Sequence, residues 1–202
     1  MPDIVALTIN PAIDIFVNVA QVEPTRKLRC SSPKRNPGGG GINVARAAHR
    51  LGSSVLAIYP TGGAIGKLLH RLVEREHIES LVTPSHVETR ENFTAYEETA
   101  GEQYHFVLPG STLHRAEWEA VLETLTTLSG KPKFVVASGS VPPGVPDDFF
   151  ARGAPSRQET WRSMRRRHFG ISTQNGSCRR CRADQTEPGR TFRPYGRLTR
   201  HR

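Results

Sequence analysis

Four consecutive glycines, Gly38 to Gly41, lie within the stretch Asn36-Pro37-Gly38-Gly39-Gly40-Gly41-Ile42-Asn43-Val44-Ala45-Arg46-Ala47-Ala48, and no other feature restricts the fold as much. Without Cβ atoms the backbone can take positive φ angles and come close to a ligand. The Asn-Val-Ala-Arg-Ala-Ala run that follows predicts a helix start, with Val44, Ala47, Ala48 and Leu51 at helical spacing. A glycine loop opening a helix leaves backbone N–H groups unpaired at the positive end of the helix dipole, which suits an anion or a hydroxyl. A flexible linker is the plain alternative. The Ala-rich helix directly after the glycines argues against it.

Charge is unevenly spread along the 202 residues. The net +9 arises entirely from the end of the chain: residues 1–150 carry 14 Lys+Arg against 16 Asp+Glu, whereas residues 151–202 carry 14 Arg, no Lys and 3 Asp+Glu. The basic pI therefore implies nothing about a nucleic-acid or membrane partner for the first 150 residues. No basic segment followed by an apolar run opens the chain, and no stretch approaches 18 apolar residues, so neither a signal peptide nor a membrane span is expected. Cys30, Cys178 and Cys181 are too few for a disulfide framework and fit a reducing cytoplasm.

The pattern along the chain is that of an α/β protein. Residues 4–9 predict a buried strand ending before Asp14, an acid placed either as a ligand at a strand end or as a turn residue capping its own backbone. Residues 15–36 read as strand and loop leaving the main sheet, with Lys27, Arg29, Lys34 and Arg35 either solvated or gathered around a phosphate. A strand over 54–59 and a helix bearing Leu68, Leu69, Leu72 and Val73 form the repeating unit of a parallel sheet. Gly66-Lys67 superficially matches a nucleoside-triphosphate loop but is followed by Leu68 where Ser or Thr is required. A third strand over 81–83 precedes a hairpin pattern, residues 94–98 and 103–108, expected outside the main sheet as a lid or interface. Arg90 sits just before it, a guanidinium able to clamp a phosphate. An amphipathic helix over 113–129, a strand over 133–137 and the small-residue loop from Ser138 through Ser140 to Gly144 follow.

Together these segments resemble the PfkB (ribokinase-like) sugar kinase family, in particular its 6-phosphofructokinase branch of the bacterial minor type. The matching residues are Thr8 to Asp14, Lys27-Leu28-Arg29, Pro37 to Asn43 with Val44-Ala45-Arg46-Ala47, Gly62 to Gly66, Gly101-Glu102-Gln103-Tyr104 and Ser138 to Gly144. The resemblance covers about residues 1–150. It implies a three-layer αβα parallel sheet with a protruding β-sheet lid from about 15–36 and 90–108, lacking the C-terminal part of the family domain. It also implies MgATP-dependent phosphorylation of a sugar phosphate, fructose 6-phosphate first and fructose 1-phosphate or tagatose 6-phosphate as alternatives, and a homodimer contact through the lid. Carried over by position, Asp14, Gly39, Gly40 and Asn43 would hold sugar hydroxyls. Arg90, Ser140, Lys27 and Arg29 would meet the phosphate or line the lid edge.

The donor half of the reaction has no counterpart in the sequence. The family's catalytic Asp lies in a Gly-Ala-Gly-Asp loop, and no such loop occurs in the 202 residues. Phosphoryl transfer needs the γ-phosphate positioned, its charge neutralised and the nucleophile oriented, so no appreciable kinase turnover is expected from the chain alone, and binding of ATP and Mg2+ is doubtful on the same ground. Residues 151–202 lack sustained apolar periodicity and are expected not to fold. Their arginine-only basicity fits GC-rich DNA translated out of frame, a frameshift near codon 151. The alternatives are a basic arm for nucleic acid through Arg165-Arg166-Arg167 and Arg179-Arg180, or a metal site at Cys178 and Cys181 with His168 or His201. Against the kinase reading stands a non-catalytic protein that binds the sugar phosphate alone.

Overall fold

The computed structural model describes residues 2–153. In chain order its elements are β1 (Ile4–Leu7), β2 (Ala12–Val19), β3 (Lys34–Gly38), α1 (Gly40–Arg50), β4 (Val55–Thr61), α2 (Gly63–Arg75), β5 (Glu79–Pro84), β6 (Arg90–Glu97), β7 (Glu102–Val107), α3 (Arg115–Thr126), β8 (Phe134–Ala137) and α4 (Phe149–Arg152). None of these helices is long and apolar enough to cross a membrane.

Strands β1 and β4, reading IVAL and VLAIYPT, have almost no polar face. Such strands are stable only in a sheet covered on both sides. They lie at the centre of a four-stranded sheet ordered β5-β4-β1-β8, all neighbours parallel. Val5, Leu7, Leu56 and Ile58 face Trp118 and Val121 of α3 and Phe149 of α4. The alternate residues Ala6, Val55, Ala57 and Tyr59 face Ile42 and Ala45 of α1 and Leu69 and Val73 of α2. Each buried aliphatic side chain contributes about 1.5–3 kcal/mol of transfer free energy. The three-layer αβα arrangement expected from the sequence is thus present.

A second sheet, ordered β3-β2-β6-β7, carries the hairpin. Strands β6 and β7 are antiparallel, as expected of a lid outside the main sheet. Strand β6 begins at Arg90, where the local hairpin pattern alone put 94, and its other neighbour is β2, paired in parallel over eight residues. That long-range pairing leaves no local trace in the sequence. At the outer end Val17, Val19 and Ala95 form a small core with Val22 and Tyr104. Buried Glu97 is satisfied there, accepting from Val22 N–H at 3.1 Å and Tyr104 O–H at 2.9 Å.

The buried face of α1 also departs from expectation. Ile42 and Ala45 are buried and Ala48 packs beside them, while Leu51 is 86% exposed. The helix starts at Gly40, three residues before the predicted Asn43, and its first turn is tied to the strand ends, which fixes its rotation. At the start of α3, Glu117 accepts from His114 N–H at 2.5 Å and from His86 N–H and Nδ1 at 2.7 Å each, while the His86 and His114 rings stack at 3.9 Å. Burial raises the Glu117 pKa, but the bonds from His86, His114 and Ser85 outweigh it and hold the carboxyl at about 2. A carboxyl lowered from 4.5 stabilises the fold above that pH and loses its contribution as pH falls from 4.5 towards 2. We predict that Glu117→Gln lowers stability by about 1–3 kcal/mol at pH 7. The difference from wild type should shrink through that acid window, as read from denaturant midpoints across pH.

Candidate functional site

Parallel sheets leave a crevice at the carboxyl ends of their strands. Strands β1 and β8 end side by side there, with Ser138 N–H donating to Leu7 O at 3.2 Å. The glycine turn docks on these two ends. Gly41 N–H donates to Ser138 O at 3.0 Å, Ile42 N–H to the buried Thr8 Oγ1 at 2.8 Å, and Asn43 N–H to Gly39 O at 2.9 Å. The sequence led us to expect unpaired N–H groups along this turn. The protein itself satisfies three of them, and only those of Gly39 and Gly40 have no acceptor among the described residues.

The glycines are required chiefly by this docking. A Cβ on Gly38 would strike the Asp14 carboxylate, one on Gly40 would lie 2.6 Å from Ser138 C and Gly139 N, and one on Gly41 would collide with Leu7 O. Only Gly39, at φ 110°, also needs a left-handed backbone.

Asp14 is not at the end of a main-sheet strand, as its sequence position suggested. It lies inside β2, between Asn36 of β3 and Asn92 of β6 in register. The parallel pairing of β2 with β6 puts Asn92 beside it, and Asn92 Nδ2 donates to Asp14 Oδ1 at 2.8 Å. Arg90, two residues before Asn92 on the same face of β6, is half-buried. Its two terminal nitrogens donate to Leu108 O at 2.7 Å and Asn10 O at 3.3 Å, and its buried Nε has no partner. Burial lowers its pKa and the Asp14 charge partly offsets that. The guanidinium stays charged at neutral pH in any case. It is a cation fixed by neutral carbonyls, with capacity left for an anion.

Buried Asn10 links this group to the β8 loop, donating from Nδ2 to Ser140 Oγ at 2.9 Å. Asn43 is exposed on the first turn of α1, its Oδ1 accepting from Arg46 at 3.2 Å. An open cavity of about 230 Å³ is lined by Asp14, Phe16, Asn92, Thr94, His105 and Val107, among others. Asp14, Gly39, Gly40, Arg90 and Ser140 are therefore drawn into one neighbourhood, with Asn43 at its edge. Lys27 and Arg29 are not. They lie in the exposed segment that returns to the sheet where Cys30 bridges Val19, at the outer end of β2. Five residues separate Val19 from Asp14, about 16 Å of strand. Asn10, Asn92 and Thr8 were given no role by sequence reasoning, although Thr8 and Asn10 lie in the matching run Thr8 to Asp14. For Asn92 the available signal was its two-residue spacing from Arg90. The tail residues considered for metal or nucleic acid, Cys178, Cys181, His168, His201 and the two arginine runs, lie outside the described residues.

The description of the pfkB family carbohydrate kinases matches residues 3–158, which is most of the chain. The chain belongs to that family. It is 48% identical over 153 residues to ATP-dependent 6-phosphofructokinase isozyme 2 of Mycobacterium tuberculosis (strain ATCC 25618 / H37Rv), covering 76% of this chain and 45% of the relative. It is 41% identical over 145 residues to the protein of the same name from Escherichia coli (strain K12), covering 72% and 47%. Among solved structures, phosphofructokinase-2 from Escherichia coli in complex with fructose-6-phosphate superposes with a TM-score of 0.72 at 39% identity, covering 76% of this chain and 50% of that one. The chain thus spans about half the length of the curated relatives it matches. From the glycine packing we predict that Gly38→Ala, which forces the Asp14 carboxylate aside, costs about 1–3 kcal/mol. Thermal or urea unfolding of the two proteins would measure it.

Proposed function

We propose that residues 1–150 form the acceptor half of a sugar-phosphate kinase and bind fructose 6-phosphate, the substrate of ATP-dependent conversion to fructose 1,6-bisphosphate. The observation that carries this reading is Arg90, held by backbone carbonyls with a free buried Nε, on the same strand face as the carboxylate-binding Asn92 and beside Asp14. A fixed cation suits a phosphate dianion and a carboxylate suits sugar hydroxyls. The N–H groups of Gly39 and Gly40 would supply donors to the same ligand. Fructose 1-phosphate and tagatose 6-phosphate present the same groups and remain alternative acceptors. The apolar side chains exposed on the lid, Phe106 at 54% and Val107 at 69%, support a lid-to-lid homodimer.

The described residues do not fit the nucleotide side. The N–H of Gly66 is taken by Gly62 O within α2, and no cluster of three or more acids, His or Cys that could hold a metal occurs among them. No step involving ATP or Mg2+ is assigned to these residues, and with no Gly-Ala-Gly-Asp loop in the sequence the 202-residue chain is proposed to bind without appreciable turnover. Calorimetric titration tests the acceptor site. Asp14→Ala and Arg90→Ala should each weaken fructose 6-phosphate binding by about 10- to 100-fold, the loss of a hydrogen bond to a charged group. Arg90→Ala should in addition remove the preference for fructose 6-phosphate over fructose. ATP turnover by the wild-type chain that Asp14→Ala abolishes would overturn the non-catalytic part.

A further inference from the structure

We propose that Asn92 is a specificity and positioning residue of the acceptor site, holding the Asp14 carboxylate with its amide N–H and receiving a ligand hydroxyl on its amide oxygen. This rests on the acceptor-site reading given above. A carboxylate accepts hydrogen bonds and has none to give, so the amide must turn its nitrogen towards Asp14, as the 2.8 Å contact shows. Its oxygen then points away, buried, with no donor among the described residues. A buried acceptor without a donor is costly, and native folds rarely leave one without a reason.

The neighbouring orphan group supplies that reason. Only three buried side-chain atoms of the described residues lack a partner, and two of them, Arg90 Nε and Asn92 Oδ1, project from one face of β6 two residues apart. One is a donor and the other an acceptor. They do not satisfy each other: Asn92 borders the 230 Å³ cavity that also includes Asp14, and Arg90 lines a second crevice together with Asn10 and Thr89. The ligand that completes both carries an anionic group for Arg90 and a hydroxyl donor for Asn92. An acyclic or cyclic polyol phosphate carries the two on separate groups, whereas a neutral sugar has only the hydroxyl.

Asn92→Asp tests this, because a protonated carboxyl presents one O–H donor and one carbonyl acceptor, the same pair as the amide. When ionised it places a second negative charge against Asp14 and has no donor. Two carboxylates in contact share a proton, and the pair takes it up as pH falls. Titration of fructose 6-phosphate into the 202-residue chain, wild type and variant, at pH 8 and pH 5 gives the readout. The ratio of wild-type to variant affinity is expected to be about 10-fold or more at pH 8 and to fall to within about threefold at pH 5. Asn92→Leu should lose about 10- to 100-fold at both pH values, the scale of a charge-assisted bond. Melting curves confirm that each variant is folded, and if Asn92→Leu does not fold the Asp variant decides alone. A ratio near one at pH 8, or one that does not change with pH, overturns the proposal while leaving the acceptor site standing. No binding by the wild-type chain overturns both.

Discussion

The structure depends on the docking of the glycine turn onto the ends of β1 and β8. Two hydrogen bonds, Gly41 N–H to Ser138 O and Ile42 N–H to Thr8 Oγ1, join the helix start to the sheet. They require backbone-to-backbone approach that any Cβ at Gly40 or Gly41 would block. Each such bond contributes only about 1 kcal/mol net. Their larger effect is geometric. They set the rotation of α1, which buries Ile42 and Ala45, while the pairing of β3 with β2 just before the turn brings Gly38 against Asp14. A single turn therefore couples the main sheet, the first helix and the lid sheet.

Arg90 shows what the lid contributes. A guanidinium taken half out of water without a carboxylate in direct contact is costly, and carbonyl acceptors recover only part of that cost. The fold retains it nonetheless, pinned at two nitrogens and unpaired at the third. Groups held at a cost to stability, with their bonding capacity unused, concentrate where a ligand completes them. By contrast, the Arg46 guanidinium is fully employed, pairing with Glu76 at 2.7 Å and donating to Pro37 O at 3.0 Å, and it serves to join α1 to α2 and β3.

What was legible in the sequence follows from how local each signal is. The apolar runs of β1 and β4 and the helical spacing of Leu69 with Val73 and of Trp118 with Val121 are local, and they placed the main sheet and its helices correctly. The glycine run marked the site, but the reason for it was only half visible. A sequence shows that Cβ atoms are missing and does not show whether ligand or protein occupies the space. The placement of Asp14 could not be read at all, because it depends on β2 pairing in parallel with a strand nearly 80 residues away. The same pairing creates the Asp14–Asn92 contact, so Asn92 carried no signal beyond its spacing from Arg90. Lys27 and Arg29 matched a motif, yet the chain path puts them at the far end of the lid.

The site lies where the two sheets meet, and neither sheet contains it alone. The main sheet offers backbone donors, the Gly39 and Gly40 N–H groups at the positive end of α1, and the Ser138 to Ser140 loop. The lid sheet offers a carboxylate and an amide on one rung of β2 and β6 and a guanidinium two rungs away on the same face. The chain passes between the sheets at Thr8 to Pro11, at Gly38–Gly39, between β5 and β6 and between β7 and α3, and hydrogen bonds tie these crossings: Thr8 to Ile42, Asn10 to Ser140 and Arg90, Thr89 to Gly62 in both directions, Ser111 to Glu88 and Leu113 to Pro143. Any shift of the lid relative to the main sheet must alter the spacing between the donor set and the acceptor set. A ligand that touches both sets fixes that spacing, so binding and lid position are coupled by the placement of the residues themselves.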